Sequence, residues 1–368
     1  MPSSTSSSSL RWMVRKAVLL GAFGIPFAGS LEVATRLDQW IRYGAPLIGS
    51  YTYESALYEE DSLGIRGKPH GRFEKWELNG VGLRGPEIET PKPHGLTRIA
   101  AVGSSETFGL FESPGNEWPR QLERDLHRSL PNTEVNNASI AGMGLRRRIE
   151  FFEKRIVQLQ PDVALLMLEY SSYVGVVLSA ERDAVRSVTQ VAPARAALGL
   201  GFTPRIVRKA KDAVIPRLPE PFRNAVQEFL IESRVSSARE DLGDDFGRYR
   251  EVRPAHVHEF EKDVIRFLGF TREHEIDAVI LLPALRVDEA TLRDYRANYP
   301  YINESWIREA IDAFPTIARR LAAQHDVQVI DLAPAVAGRE RELMMDMFHF
   351  NDEGARLVAA AMAADLRF

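Results

Sequence analysis

The chain has 368 residues, of which 45% are hydrophobic and 27% charged, with a formal net charge of −4 and no cysteine. These values suit a chain that buries a core, and they lack the basic field of a nucleic-acid binder, so no nucleic-acid partner is expected. Without cysteine, disulfides, thiol nucleophiles and cysteine-based zinc sites are excluded, while the redox compartment stays open.

Met1–Ser9 is Ser-rich and reads as disordered. Arg11, Arg15 and Lys16 then precede an uncharged, mostly apolar run, Ala17–Leu31, which stops at Glu32. A basic stretch before an apolar one is the layout of a signal peptide or signal anchor. Fifteen helical residues would rise only about 22 Å against a hydrocarbon core of about 30 Å. Met13 and Val14 lengthen the run if Arg15 and Lys16 snorkel, and Ala28 and Ser30 suit cleavage after Ser30. Three readings stay open for residues 1–34: a single-pass anchor, a cleaved signal, or a buried helix. On the first, the positive-inside rule leaves the N-terminus in the cytoplasm. The bulk of the chain then lies on the periplasmic or extracellular side of the inner (cytoplasmic) membrane.

Residues 35–96 read as a small β- and turn-rich appendage. Gly64, Gly67, Pro69, Gly71, Gly80, Gly82, Gly85 and Pro86 punctuate it, and Pro91 to Gly95 reads as a linker. Residues 97–368 form the main domain. Apolar runs at Ile99–Val102 and Val163–Leu168, and the stretches Glu134–Ala138, Ala278–Leu282 and Val327–Leu332, read as strands. They alternate with helices predicted over Glu117–Leu130, Arg146–Leu159, His256–His274, Trp306–His325 and Glu353–Leu366. That rhythm implies an α/β fold with a parallel sheet covered on both faces. It is interrupted over about residues 176–254 by an Arg-rich, Pro-broken insertion that reads as a lid-like region. Arg205, Arg208, Lys209 and Lys211 there suit a solvated helix face, or contact with anionic lipid or acidic glycan. No repeat is evident.

The strand at Ile99–Val102 runs into Gly103-Ser104-Ser105-Glu106-Thr107-Phe108-Gly109. A serine just past the C-terminal end of a strand sits where α/β sheets place their ligand crevice. Thr107 stands where a nucleophile elbow would have its second glycine, so the G-x-S-x-G motif is absent. After the second strand comes Asn137-Ala138-Ser139-Ile140-Ala141-Gly142, whose glycine amide could face an oxyanion. Before the last helix comes Asp346-Met347-Phe348-His349, followed by Asn351 or Asp352 as N-cap. A serine hydroxyl needs a neutral imidazole to take its proton and a carboxylate to fix the tautomer, and Asp346 can turn back onto His349. His349 packed between Phe348 and Phe350, with Asp346 merely solvated, is the plain structural reading of the same residues.

Taken together and in this order, the three segments resemble the SGNH/GDSL hydrolase family. Gly103-Ser104-Ser105 matches its Gly-Asp-Ser block with Ser for Asp, Gly109 that block's later glycine, Asn137–Gly142 the second block, and Asp346–His349 the last. The stretch Asn79–Glu87 resembles the segment ahead of the catalytic domain in a membrane-anchored bacterial subgroup. The resemblance implies a three-layer α/β/α domain that cleaves or transfers acyl esters without a cofactor or metal. It implies Ser105 as nucleophile, His349 as base and then acid, Asp346 as its orienting carboxylate, and the Ser105 and Gly142 amides as oxyanion donors. The family's third block, Gly-x-Asn-Asp, is replaced by Glu169-Tyr170-Ser171-Ser172, which leaves Ser171 where the Asn donor belongs. Losing one such donor typically costs about 10²–10³ in rate. Nearby Glu169, if buried, would oppose a developing anion.

The expected function is a serine esterase acting on an O-acyl ester of an envelope or extracellular polysaccharide. Two other readings stay open. One is an O-acyltransferase using the same serine, fed by a membrane-bound acyltransferase partner. The other is a non-catalytic glycan-binding or scaffold protein. Trp76, Tyr170, Tyr173 and Trp306 are candidates for a sugar platform, with core packing as the default for each. His256 and His258 lie two apart on a predicted helix and so point to different faces, which argues against a metal site.

Overall fold

The computed structural model describes residues 26–49, 51–182, 205, 209, 217–252 and 254–367. The basic n-region and most of the apolar run lie outside these residues, as do Arg208 and Lys211. The chain divides into two compact units, Met1–Ser55 with Pro193–Val226, and Ala56–Ala192 with Gln227–Phe368.

The larger unit is built on a five-stranded parallel sheet. Its strands follow two small hairpins, β1 (Tyr58–Asp61) with β2 (Gly64–Gly67) and β3 (Arg72–Phe73) with β4 (Trp76–Glu77). The sheet strands are β5 (Thr97–Gly103), β6 (Thr133–Ser139), β7 (Val163–Met167), β8 (Asp277–Leu282) and β9 (Gln328–Asp331), in the order β6-β5-β7-β8-β9. The β7 run Val-Ala-Leu-Leu-Met is buried throughout, because a parallel sheet with helices on both faces leaves no polar side. Alternation along the strands divides their side chains between two cores. Ile99, Ala101, Leu165, Met167, Val279 and Leu281 pack with Trp118 and Leu122 of helix Trp118–Leu126 and with Val358 and Met362 of helix Asp352–Asp365. On the other side, the helices Pro254–Glu273 and Glu304–His325 bury Phe260, Phe267 and Phe314, and the Phe152 ring packs tilted against Phe267.

All five strands fall where alternation of apolar runs and helices places them. The first helix is shorter than expected and stops at Leu126, with His127 as its C-cap. The stretch expected as one helix to Leu159 changes winding. It is α over Leu145–Phe151, π over Phe152–Ile156 and 3₁₀ over Val157–Leu159, ending in a left-handed Gln160. A helix absent from the sequence reading, Glu289–Asn298, follows β8 and opens with a capping box. The Asp288 side chain accepts from Thr291 N while Thr291 Oγ1 accepts from Asp288 N. Tyr170, Tyr173 and Trp306 are fully buried, so they pack the core rather than offer a sugar platform. Arg205, read as part of a solvated face, is buried instead, at 4% exposure. His258 is exposed, and among the described residues no group of three or more His, Asp or Glu could hold a metal.

Candidate active site

The segments of interest meet at the C-terminal ends of the sheet strands, where a parallel sheet leaves room for ligands. At the end of β5, Gly103 lies against Thr107, and a Cβ there would fall 1.8 Å from Thr107 Oγ1. Only glycine permits the short helix Ser105–Phe108 to fold back this closely on the strand. Ser104 caps that helix and Ser105 is its first residue.

The helix is strapped from outside by the turn Asn79–Glu87. The Asn79 carboxamide accepts from Val81 N and Leu83 N and donates to Pro86 O, closing the turn on itself. This projects Arg84, which is 4% exposed. Its guanidinium donates to Phe108 O at 2.5 Å and to Gly109 O, and pairs with the buried Glu117 carboxylate at 3.2 Å. From the other side Asn137 Nδ2 donates to Thr107 O at 2.9 Å. The Ser105 segment is thus held by the turn before β5 and by β6.

His349 and Asp346 are brought together. Asp346 Oδ1 accepts from the backbone N–H groups of Phe348 and His349, and the carboxylate meets His349 Nδ1 at 2.7 and 2.9 Å. A backbone bond from Met345 N to His349 O closes the loop. Asn351, not Asp352, caps the last helix by accepting from Gly354 N. Asp352 instead accepts from Ser113 N and Asn116 Nδ2, tying the histidine loop to the segment that follows Ser105. Phe111, on that segment, meets the His349 ring edge-on at 5.3 Å.

His349 Nε2 is buried and has no hydrogen-bond partner among the described residues. Burial works against charging the imidazole, but the Asp346 hydrogen bond and charge, with Glu106 and Glu112 nearby, outweigh it and raise its pKa to about 9. The Ser105 hydroxyl does not bond to Nε2; it donates to Glu106 Oε2 at 3.1 Å. Gly142, at φ +79°, donates its amide to Ser104 Oγ at 3.0 Å, and Ser171 sits half-buried in the first turn of helix Tyr170–Arg182.

Glu169 is fully buried, as anticipated, but its charge is engaged. Arg148 and Ser104 N both donate to it, and Arg148 also reaches Met167 O and Met143 O. Burial pushes the Glu169 carboxyl up, and the Arg148 guanidinium pulls it down. The pair fixes the backbone at Ser104 rather than facing the substrate side as a lone anion.

Sequence reasoning passed over Glu106, Glu112 and Arg84 as working residues. Glu106 stood in the quoted motif next to Ser105, and Arg84 in the stretch that resembles the subgroup's upstream segment. Glu112 carried no signal. It is 1% exposed, has one oxygen without a partner among the described residues, and is raised to about 7 by burial.

No family model and no curated protein matches the chain. Solved structures do match, among them a G-D-S-L family lipolytic protein, a lipase/acylhydrolase and an acetylxylan esterase. A G-D-S-L family protein from Desulfitobacterium hafniense is 11% identical, with a TM-score of 0.41 over 73% of this chain and 99% of that one. A lipase/acylhydrolase from Enterococcus faecalis is 15% identical, with a TM-score of 0.40 over 73% and 95%. An acetylxylan esterase from Geobacillus stearothermophilus is 12% identical, with a TM-score of 0.42 over 73% and 93%.

Proposed function

We propose that the chain is an SGNH/GDSL-type serine esterase that removes an O-acyl group from an envelope or extracellular polysaccharide. The observation that carries this reading is the Asp346–His349 pair, whose second imidazole nitrogen is buried with no partner among the described residues and whose ring meets Phe111 on the segment that follows Ser105. Rotation of the Ser105 side chain away from Glu106 would offer its proton to Nε2. Oγ then attacks the acyl carbonyl, His349 takes the proton and passes it to the leaving sugar hydroxyl, and Asp346 steadies the imidazolium. Water, activated by the same nitrogen, releases the acyl group. The Ser105 and Gly142 amides serve as oxyanion donors once Ser104 Oγ gives up Gly142, and the Ser171 hydroxyl takes the place of the family's asparagine. We further propose that residues 1–34 attach the protein to the inner membrane, with the catalytic unit outside the cytoplasm.

The test is release of acetate from acetylated xylo-oligosaccharides and from p-nitrophenyl acetate by the purified protein and by Ser105→Ala. Hydrolysis that Ser105→Ala removes supports the reading, and equal rates from both proteins sink it. The hydrogen bond from Ser105 to Glu106, with no asparagine at the third block, favours one other reading, a glycan-binding protein without turnover. Glycan affinity that Ser105→Ala leaves unchanged, with no acetate released, would mark that outcome.

A further inference from the structure

The smaller unit contains a helix over residues 26–43 whose patterning is reversed. Its buried positions are Glu32, Thr35, Arg36 and Gln39, which lie at the i, i+3, i+4, i+7 spacing of a helix's inner face and are all polar. Its large apolar residues lie outside that stripe, with Leu37 at 42%, Trp40 at 52% and Ile41 at 73% exposure, and Ile48 just beyond the helix at 88%. A helix that packs on a water-soluble core shows the opposite arrangement.

The polar stripe is sealed within the same unit. Arg36 bonds Glu32 at 2.7 Å and donates to Leu47 O and Gly49 O. Arg205 donates to Gln39 Oε1, Pro46 O and Gly49 O, and lies 5.2 Å over the Tyr51 ring. Glu32 and Arg36 are turned inward and paired, Asp38 pairs with Arg42 and Lys209 nearer the surface, and the large apolar side chains are turned outward. Buried, paired charges with outward apolar side chains are the arrangement that a hydrocarbon solvent selects. The helix also continues an uncharged run that starts at Ala17 behind Arg11, Arg15 and Lys16. Eighteen helical residues rise about 27 Å, close to the roughly 30 Å hydrocarbon core, so the charges from Glu32 onward do not end the lipid-facing surface.

We infer that the outward face of helix 26–43, from Leu31 through Ile41 and on to Ile48, lies in phospholipid bilayer, with the Glu32–Arg36–Gln39 face sealed by protein. This rests on the membrane attachment proposed above and on no part of the ester chemistry. Among the described residues no helix is long and apolar enough to cross a membrane by uniform hydropathy, and a one-sided surface of this kind would escape that criterion.

The absence of native cysteine makes the test direct. Full-length Leu37→Cys, Ile41→Cys and Ile48→Cys carry a nitroxide label in phosphatidylethanolamine–phosphatidylglycerol vesicles, with Arg356→Cys as the aqueous reference. Collision with dissolved oxygen and with a water-soluble nickel chelate is then compared. The inference expects the three sites to favour oxygen over nickel several-fold relative to Arg356→Cys. Nickel access equal to that reference, shielding from both reagents (the mark of a covering protein or second copy), or no vesicle association would each overturn it. Fluorophosphonate labelling in the same vesicles reports the ester chemistry separately, so the two readings can fail independently.

Discussion

Three carboxylates act on one imidazole: Asp346 by direct hydrogen bond, Glu106 and Glu112 through space. Together they hold the imidazolium to about pH 9, and a base must be neutral to accept a proton. Activity is therefore expected to climb from neutrality toward pH 9, read as the acidic limb of kcat/KM for p-nitrophenyl acetate. Glu106→Gln removes one negative charge and should move that limb to lower pH, whereas a purely structural residue would alter the amplitude alone. Glu112 works in the other direction on stability. Its folded pKa is raised, so the native state binds the extra proton and stability falls as pH rises from the unfolded value of 4.5 to about 7. Glu112→Gln should lose that dependence and melt higher than the parent above pH 7, by up to roughly 2–3 kcal/mol, with little difference at pH 4. At this scale the sequence singled out Ser105, Asp346 and His349 through the order of their segments, and the structure brings Asp346 onto His349. Glu112 was hidden, since burial of a lone carboxylate is a tertiary fact.

The elements that hold the site came partly from legible signals. Most strands announced themselves by apolar stretches, and the N-cap of the last helix was narrowed to Asn351 or Asp352 by its place before an amphipathic helix. The π-helical turn at Phe152–Ile156 has no comparable signal, because packing rather than propensity sets the winding there. Helix Glu289–Asn298 buries only Thr291, Leu292 and Tyr295, too few for its period to stand out, although the Asp288-Thr291 capping box was present in the sequence. The strap at Asn79–Glu87 is the element most open to test. Arg84→Ala would leave Glu117 buried and unpaired and strand the Phe108 and Gly109 carbonyls. A destabilisation of about 3–5 kcal/mol is expected by urea unfolding. Arg84→Lys should recover only part of it, since an ammonium lacks the planar fork. Gly103→Ala drives a methyl into Thr107 and should cost about 1–3 kcal/mol, with slower Ser105 labelling at temperatures where the fold persists.

For the whole molecule, alternation of strands and helices made the parallel sheet readable without any structure, and chain order placed the three chemical segments at one end of it. What the sequence withheld was grouping. Residues 56–96 belong to the same compact unit as the sheet, and residues 193–226 belong with the N-terminal segment. Neither follows from local patterning, because both are set by contacts between distant segments. Arg205 illustrates the point: an arginine in a basic stretch reads as solvated until its partners at Gln39 and Pro46 are known. The reversed helix 26–43 was likewise half legible, its apolar run evident and its inward polar stripe not.

Activation of Ser105 by the Asp346–His349 pair is what the proposed esterase chemistry requires. Its most direct measurement is the rate of labelling of the full-length protein by a fluorophosphonate probe at pH 8.5, alongside Ser105→Ala, His349→Ala and Asp346→Asn. The expected result is labelling that Ser105→Ala abolishes, His349→Ala reduces to background and Asp346→Asn slows by about 10²–10⁴. A folded wild-type protein that takes no label, or label that survives Ser105→Ala, would contradict it.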